Sequence, residues 1–194
     1  MKAFAQLINA LDSTNKNLQK IAAIEVFIET ASDDDKLWFL SLFTGKRPKR
    51  SVNTKLLKQW VLEETKLPEW LFIECYAAVG DLGETIALLL PDDEEPSNKT
   101  LSEWMQEIIA LKDKTEEEKK AYVIKSWHQL NTTERFIFNK LLGGSFRLGV
   151  SSKTLINAFA KYFNLEAATI THSIMGDWDR TKVDFEGLIK GSYT

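Results

Sequence analysis

Displaced by 99 residues, the chain falls on a second copy of itself, and this internal repeat limits the folds open to it more than any other feature. Asp35-Lys36-Leu37-Trp38-Phe39 lies on Glu134-Arg135-Phe136-Ile137-Phe138. Leu42-Phe43 falls on Leu141-Leu142, Gly45 on Gly144, Leu56-Leu57 on Leu155-Ile156 and Trp60 on Phe159, all without a gap. Identities are few, and what repeats is residue class. In each copy an acidic-start helix ends in glycine, a basic loop follows, and a second apolar helix begins.

Apolar residues recur at helical spacing nearly throughout, as in Phe4, Leu7, Ile8 and Leu11, or Leu57, Trp60 and Val61. Ser32 or Asp33, Asn53 or Thr54, Asp81, and Ser151 or Ser152 stand where N-caps belong. Thr100 with Glu103, and Thr115 with Glu118, have capping-box spacing. No segment alternates long enough to make a strand. The expected fold is therefore all-α, a multi-helix domain of about ten helices over residues 1–176. Its halves, about 1–91 and 100–176, are related helix–loop–helix units joined by an acidic linker at 92–99. Residues 177–194 lack a sustained apolar period and read as a tail.

Charge is unevenly placed. From Thr44 to Lys58 there are six Lys/Arg and no acid, and from Arg135 to Lys153 there are four, again without an acid. The whole chain is at −3, so everything outside those windows is at −13. A basic face on an acidic body is an electrostatic footprint for a polyanion. The stretch Gly143-Gly144-Ser145-Phe146-Arg147-Leu148-Gly149-Val150-Ser151 lies between two helices. Glycines there let backbone amides approach an anion, the next helix adds its N-terminal amides and dipole, and Arg147 adds a phosphate-shaped fork. Taken alone, Gly143-Gly144 fits a helix C-cap and tight turn better than an anion site. The matching loop, Gly45-Lys46-Arg47-Pro48-Lys49-Arg50, favours anion binding.

One cysteine (Cys75) and two histidines (His128, His172) make no metal-ligand cluster, and no run near 18 apolar residues suggests a membrane span. No nucleophile–base pair or phosphate-binding P-loop is present. A scaffold of stacked helical hairpins for protein partners is the alternative reading, with the glycine loops as simple turns.

The Gly-Gly-Ser-Phe-Arg-Leu-Gly-Val-Ser loop, the Phe43-Thr44-Gly45-Lys46-Arg47-Pro48-Lys49-Arg50 loop and the Gly80-Asp81-Leu82-Gly83-Glu84 turn resemble the N-terminal DNA-binding domain of bacterial ATP-dependent DNA ligases. The resemblance covers nearly the whole chain. It implies a helical domain that clamps the minor groove of nicked double-stranded DNA without reading sequence. It also implies a cytoplasmic, nucleoid-associated enzyme acting in DNA repair, replication and recombination, with a nucleotidyltransferase domain and an OB-fold beyond residues 177–194.

Carried onto this chain, the family's DNA-contacting loop becomes Gly144, Ser145, Phe146, Arg147, Leu148, Gly149, Ser151, Ser152 and Lys153. Charge and repeat position add Gly45, Lys46, Arg47, Lys49, Arg50 and Lys55. The family's adenylated lysine sits in Lys-x-Asp-Gly, and the nearest stretch here, Lys182-Val183-Asp184-Phe185, lacks the glycine. No catalytic or metal-binding residue and no cofactor are expected in this chain, which by itself should not seal DNA. ATP and a divalent metal such as Mg are implied for the whole enzyme.

Overall fold

The computed structural model describes residues 1–92, 97–144 and 146–192. Among them are twelve α-helices and one short 3-10 turn, and no strand. They are α1 (Lys2–Asp12), α2 (Asn17–Thr30), α3 (Asp33–Phe43), α4 (Thr54–Thr65), α5 (Glu69–Val79) and α6 (Leu82–Leu89). The second series is α7 (Leu101–Ala110), α8 (Glu116–Gln129), α9 (Thr132–Gly143), α10 (Ser152–Phe163), α11 (Ala167–Met175) and α12 (Phe185–Ile189). No helix among the described residues is long and apolar enough to cross a membrane.

The helix starts follow local chemistry. Ser32, Asn53, Asp81 and Ser151 accept from backbone N–H groups three residues on, satisfying donors that the helix itself cannot. Thr115 and Asn131 complete capping boxes with Glu118 and Glu134. Asn131 thus opens α9, whose first helical residue is Thr132. Gly80 and Gly144 end α5 and α9 at φ 82° and 69°, a left-handed conformation costly for a residue with a Cβ.

The repeat recurs helix by helix. α8 starts and ends 99 residues after α2, and α10 starts and ends 98 after α4. The compact units, however, do not follow the sequence halves. The first unit comprises residues 1–47, 100–102 and 147–194, and the second 48–99 and 103–146. Each unit takes the first three helices of one copy and the last three of the other. In the first, α2 packs on α1 and α10, α12 on α3 and α11. In the second the counterparts recur, with α8 on α4 and α6 on α9 and α5. Of the stretch 92–99, residues 93–96 lie outside the described residues.

The first unit's core joins Phe27, Phe39 and Phe159, with ring centroids 5.2 Å and 6.3 Å apart. Ser102 N–H donates to the buried carboxylate of Asp35 at 2.8 Å. Residues 177–192 belong to this unit, which corrects their reading as a tail. Trp178, Phe185, Leu188 and Ile189 are buried, and Asp184 caps α12. A five-residue helix is too short to display a 3.6-residue period, so the sequence hides it.

The second unit's core holds Trp60, Trp104, Trp127 and Phe138. Trp127 Nε1 donates to Asn139 Oδ1 at 2.8 Å, and Asn139 Nδ2 donates to Gly83 O at 3.0 Å. This buried polar chain ties α8, α9 and the start of α6 together, giving each buried group on it a partner.

Candidate nucleic-acid interface

Both loops singled out by sequence contain a point where the chain passes from one unit to the other, after Arg47 and after Phe146. Each unit therefore carries part of both loops.

In the second unit, Arg50 lies beside the glycine corner that ends α9. A Cβ on Gly144 would stand 3.8 Å from Arg50 Cα, ordinary contact distance. The approach is fixed by Ser51, only 7% exposed. Its N–H donates to Leu142 O at 3.2 Å, its Oγ donates to Ile108 O at 3.0 Å, and its carbonyl accepts from Lys119 Nζ at 3.0 Å. Every polar group of Ser51 is thus committed, to three different helical segments. Asn53 Oδ1 then accepts from Leu56 N–H at 2.9 Å, opening α4 with no acid in its first turn. Lys49, Arg50, Lys55 and Gly144 are exposed. Cations, a glycine corner and an uncompensated helix N-terminus converge here, the chemistry of a phosphate-binding surface.

In the first unit, Arg147 and Gly149 are exposed and Leu148 is half-buried. Ser151 Oγ accepts from Thr154 N–H at 3.2 Å and caps α10, which also lacks an acid in its first turn. Ser152 and Lys153 are exposed at that helix start. Gly149 O accepts from Lys20 Nζ at 2.7 Å. Gly149 has no positive φ; its requirement is space, because a Cβ would meet Asp12 Oδ1 at 2.6 Å. Burial pushes the Asp12 carboxyl above its usual range, and Lys20 partly counters that. The close neighbour of Gly149 is therefore a carboxylate, so its backbone is poorly placed for an anion. Gly45, at φ 80° with open space around its Cβ position, and Arg47 are exposed in the same unit.

Four cations and one aromatic side chain need reassignment. Lys46 Nζ donates to Trp178 O at 2.9 Å and Gly176 O at 3.2 Å, and lies 5.0 Å from the Trp178 ring centre. It fastens the C-terminal segment and is not available to a ligand. Phe146 is 3% exposed, a core residue. Arg135 is fully buried and donates to the carbonyls of Trp127, Leu90 and Pro91. Lys140 pairs with Asp81, and Lys58 with Glu69 at 3.0 Å. The cations left exposed are Arg47, Lys49, Arg50, Lys55, Arg147 and Lys153. Ser145 lies outside the described residues.

Lys20 and Lys119 hold the two loops, and sequence reasoning did not find them. Lys20 is 129 residues from Gly149, and Lys119 is 68 from Ser51. No local pattern marks such contacts. His128 Nε2 is 2.8 Å from Glu64 Oε1, on the surface of the second unit away from any cluster of ligands among the described residues.

Residues 1–160 match the family model described as DNA ligase N terminus. A DNA ligase from Methanosphaerula palustris is 22% identical over 206 aligned positions, covering 96% of this chain and 37% of that protein. The chain thus spans little more than a third of the relative's length.

Proposed function

The chain belongs to the family of DNA ligase N-terminal domains, and on that premise we propose that it holds nicked duplex DNA through phosphates and the minor groove. The observation that carries this reading is the second unit's corner, where Ser51 holds Arg50 alongside Gly144 at the end of α9, with Lys49 exposed next to it in the chain. Arg147 and Lys153 in the first unit supply further exposed cations at the start of α10. Contacts to the backbone position a duplex and carry no base code, so little sequence preference follows.

The whole protein is proposed to be an ATP-dependent ligase acting in repair and replication, with its nucleotidyl transfer on residues outside this chain. ATP and a divalent metal do not fit the residues present. Where the family's lysine motif would need its glycine, Phe185 is buried, and Asp184 Oδ2 accepts from Gly187 N–H at 3.2 Å. The part left to this chain is to hold and position the duplex.

Anisotropy titrations of a labelled nicked duplex test the reading. With about six phosphates neutralised, affinity should fall roughly 10³-fold between 50 and 200 mM salt. A flat response to salt overturns it. Lys119→Met separates holding a loop from touching DNA. It frees the Ser51 carbonyl without removing a surface cation from the corner, so affinity should drop about fivefold with an unchanged salt slope. Arg50→Ala should instead lower the slope by about 0.9. A lowered slope for Lys119→Met would mean that Lys119 itself meets phosphate.

A further inference from the structure

We infer that the outward face of α5 is a docking surface for an amphipathic partner helix whose apolar stripe is edged by lysine or arginine. α5 is among the most apolar helices of the chain, yet it buries one residue, Phe72. Trp70 is 66% exposed, Ile73 52% and Tyr76 41%. Trp70, Ile73 and Ala77 recur at i, i+3 and i+7, so they form one stripe along the helix, with Tyr76 at its margin.

The duplicated fold supplies its own control. α11 occupies the place of α5 in the other copy, starting 98 residues later. At that offset Trp70 corresponds to Ala168, Ile73 to Thr171 and Ala77 to Met175, and all of these positions are exposed. The fold therefore keeps this face on the surface in both copies and does not need an indole or a branched aliphatic there. α11 buries Ile170, Ser173 and Ile174 and presents Ala168 and Thr171 where α5 has Trp70 and Ile73, with Met175, 52% exposed, as the large apolar group at its end. Large apolar groups exposed without a folding role mark an interaction site, and Trp and Tyr are the residue types that anchor one. A stripe at this spacing suits helix-in-groove recognition.

Charge selects the partner. Glu69 and Glu74 edge the stripe on opposite sides, and α5 carries no cation. Glu69 is engaged by Lys58, whereas Glu74 is exposed and has no ion pair among the described residues. A second copy of α5 would bring only carboxylates to these edges, which disfavours self-pairing. A basic-edged helix meets Glu74 and covers Trp70. None of the residues assigned to DNA lies on this face.

The test is calorimetric titration of the full chain with two model helices of about 18 residues, five turns, sharing one leucine pattern. One has lysine and the other glutamate at every polar position. The leucine–lysine helix should bind. Trp70→Ala/Ile73→Ala should weaken it at least tenfold while leaving nicked-duplex affinity within about twofold of wild type. Glu74→Lys should weaken the lysine helix and admit the glutamate helix. The inference is overturned if the double variant binds the lysine helix as wild type does, or if the unaltered chain binds both helices equally. Sedimentation showing a dimer that the double variant abolishes would also overturn it, as would binding to phosphatidylcholine vesicles lost in that variant. Loss of DNA binding in Arg50→Ala with helix binding intact keeps the two readings separable.

Discussion

Arg50→Glu combined with Arg147→Glu is expected to weaken nicked-duplex binding at least about 50-fold near 0.1 M salt. Each reversal removes one phosphate contact, worth just under a factor of ten at that ionic strength, and adds a repelling carboxylate. Both side chains are exposed, and no acid pairs with either among the described residues, so the fold has little stake in them. Thermal unfolding should therefore stay close to wild type. Lys112→Glu is the control: it is exposed beyond the end of α7 and outside both loops. Its charge change is the same in kind, but screening over a Debye length leaves it a small effect. If Lys112→Glu cost as much as a loop reversal, binding would be following net charge, and the assignment of the glycine corners to DNA would fail. Comparing nicked with intact duplex in the same titrations measures how far this domain senses the break.

The second large effect concerns stability. Arg135→Ala should destabilise the second unit by about 3–5 kcal/mol, since it leaves three carbonyls short of a donor and opens a cavity. Arg135 is fully buried, with Nε donating to Trp127 O at 2.6 Å and Nη2 to Pro91 O at 2.8 Å. Its fork stitches the end of α8 to the segment after α6. For a chain of this size the loss corresponds to about 10 °C or more in Tm. Arg135→Lys keeps the charge and loses the fork, so most of the destabilisation should remain. Below its unfolding transition that variant should still bind DNA as wild type does, because no ligand reaches position 135. A shift of under about 1 kcal/mol in the alanine variant would contradict the role assigned to the guanidinium.

Position 135 also shows where charge counting along a sequence misleads. Arg135, Lys140, Lys46 and Lys58 contribute to the basic windows, yet each is consumed inside the molecule by a carbonyl, a carboxylate or a ring. Arg47, Lys49, Arg50, Lys55, Arg147 and Lys153 keep their exposure. The two groups look alike in sequence because a cation's partner is chosen by tertiary packing. Lys36, the repeat counterpart of Arg135, makes the same point. It reaches Asp33 at 3.2 Å and the Phe185 ring instead.

The glycines divide in a similar way. Gly144 and Gly45 hold positive φ at the ends of the helices that the repeat aligns, as their place after an apolar helix implies. Gly149 has no such requirement, and its small size serves Asp12, a neighbour that no local pattern announces.

Short-range forces account for everything legible along the chain. Apolar periodicity, capping side chains three residues from their targets and glycines in left-handed turns place nearly every helix and both loops, and the 99-residue repeat pairs them. The exchange of the last three helices between the copies, the anchoring of the basic loop by Ser51 and the packing of residues 177–192 into the first unit emerge from long-range packing alone. The physical reason is range. A cap or a helical face is written within four residues, whereas the partner of a buried ring, carbonyl or ammonium is chosen among chain segments dozens of residues away.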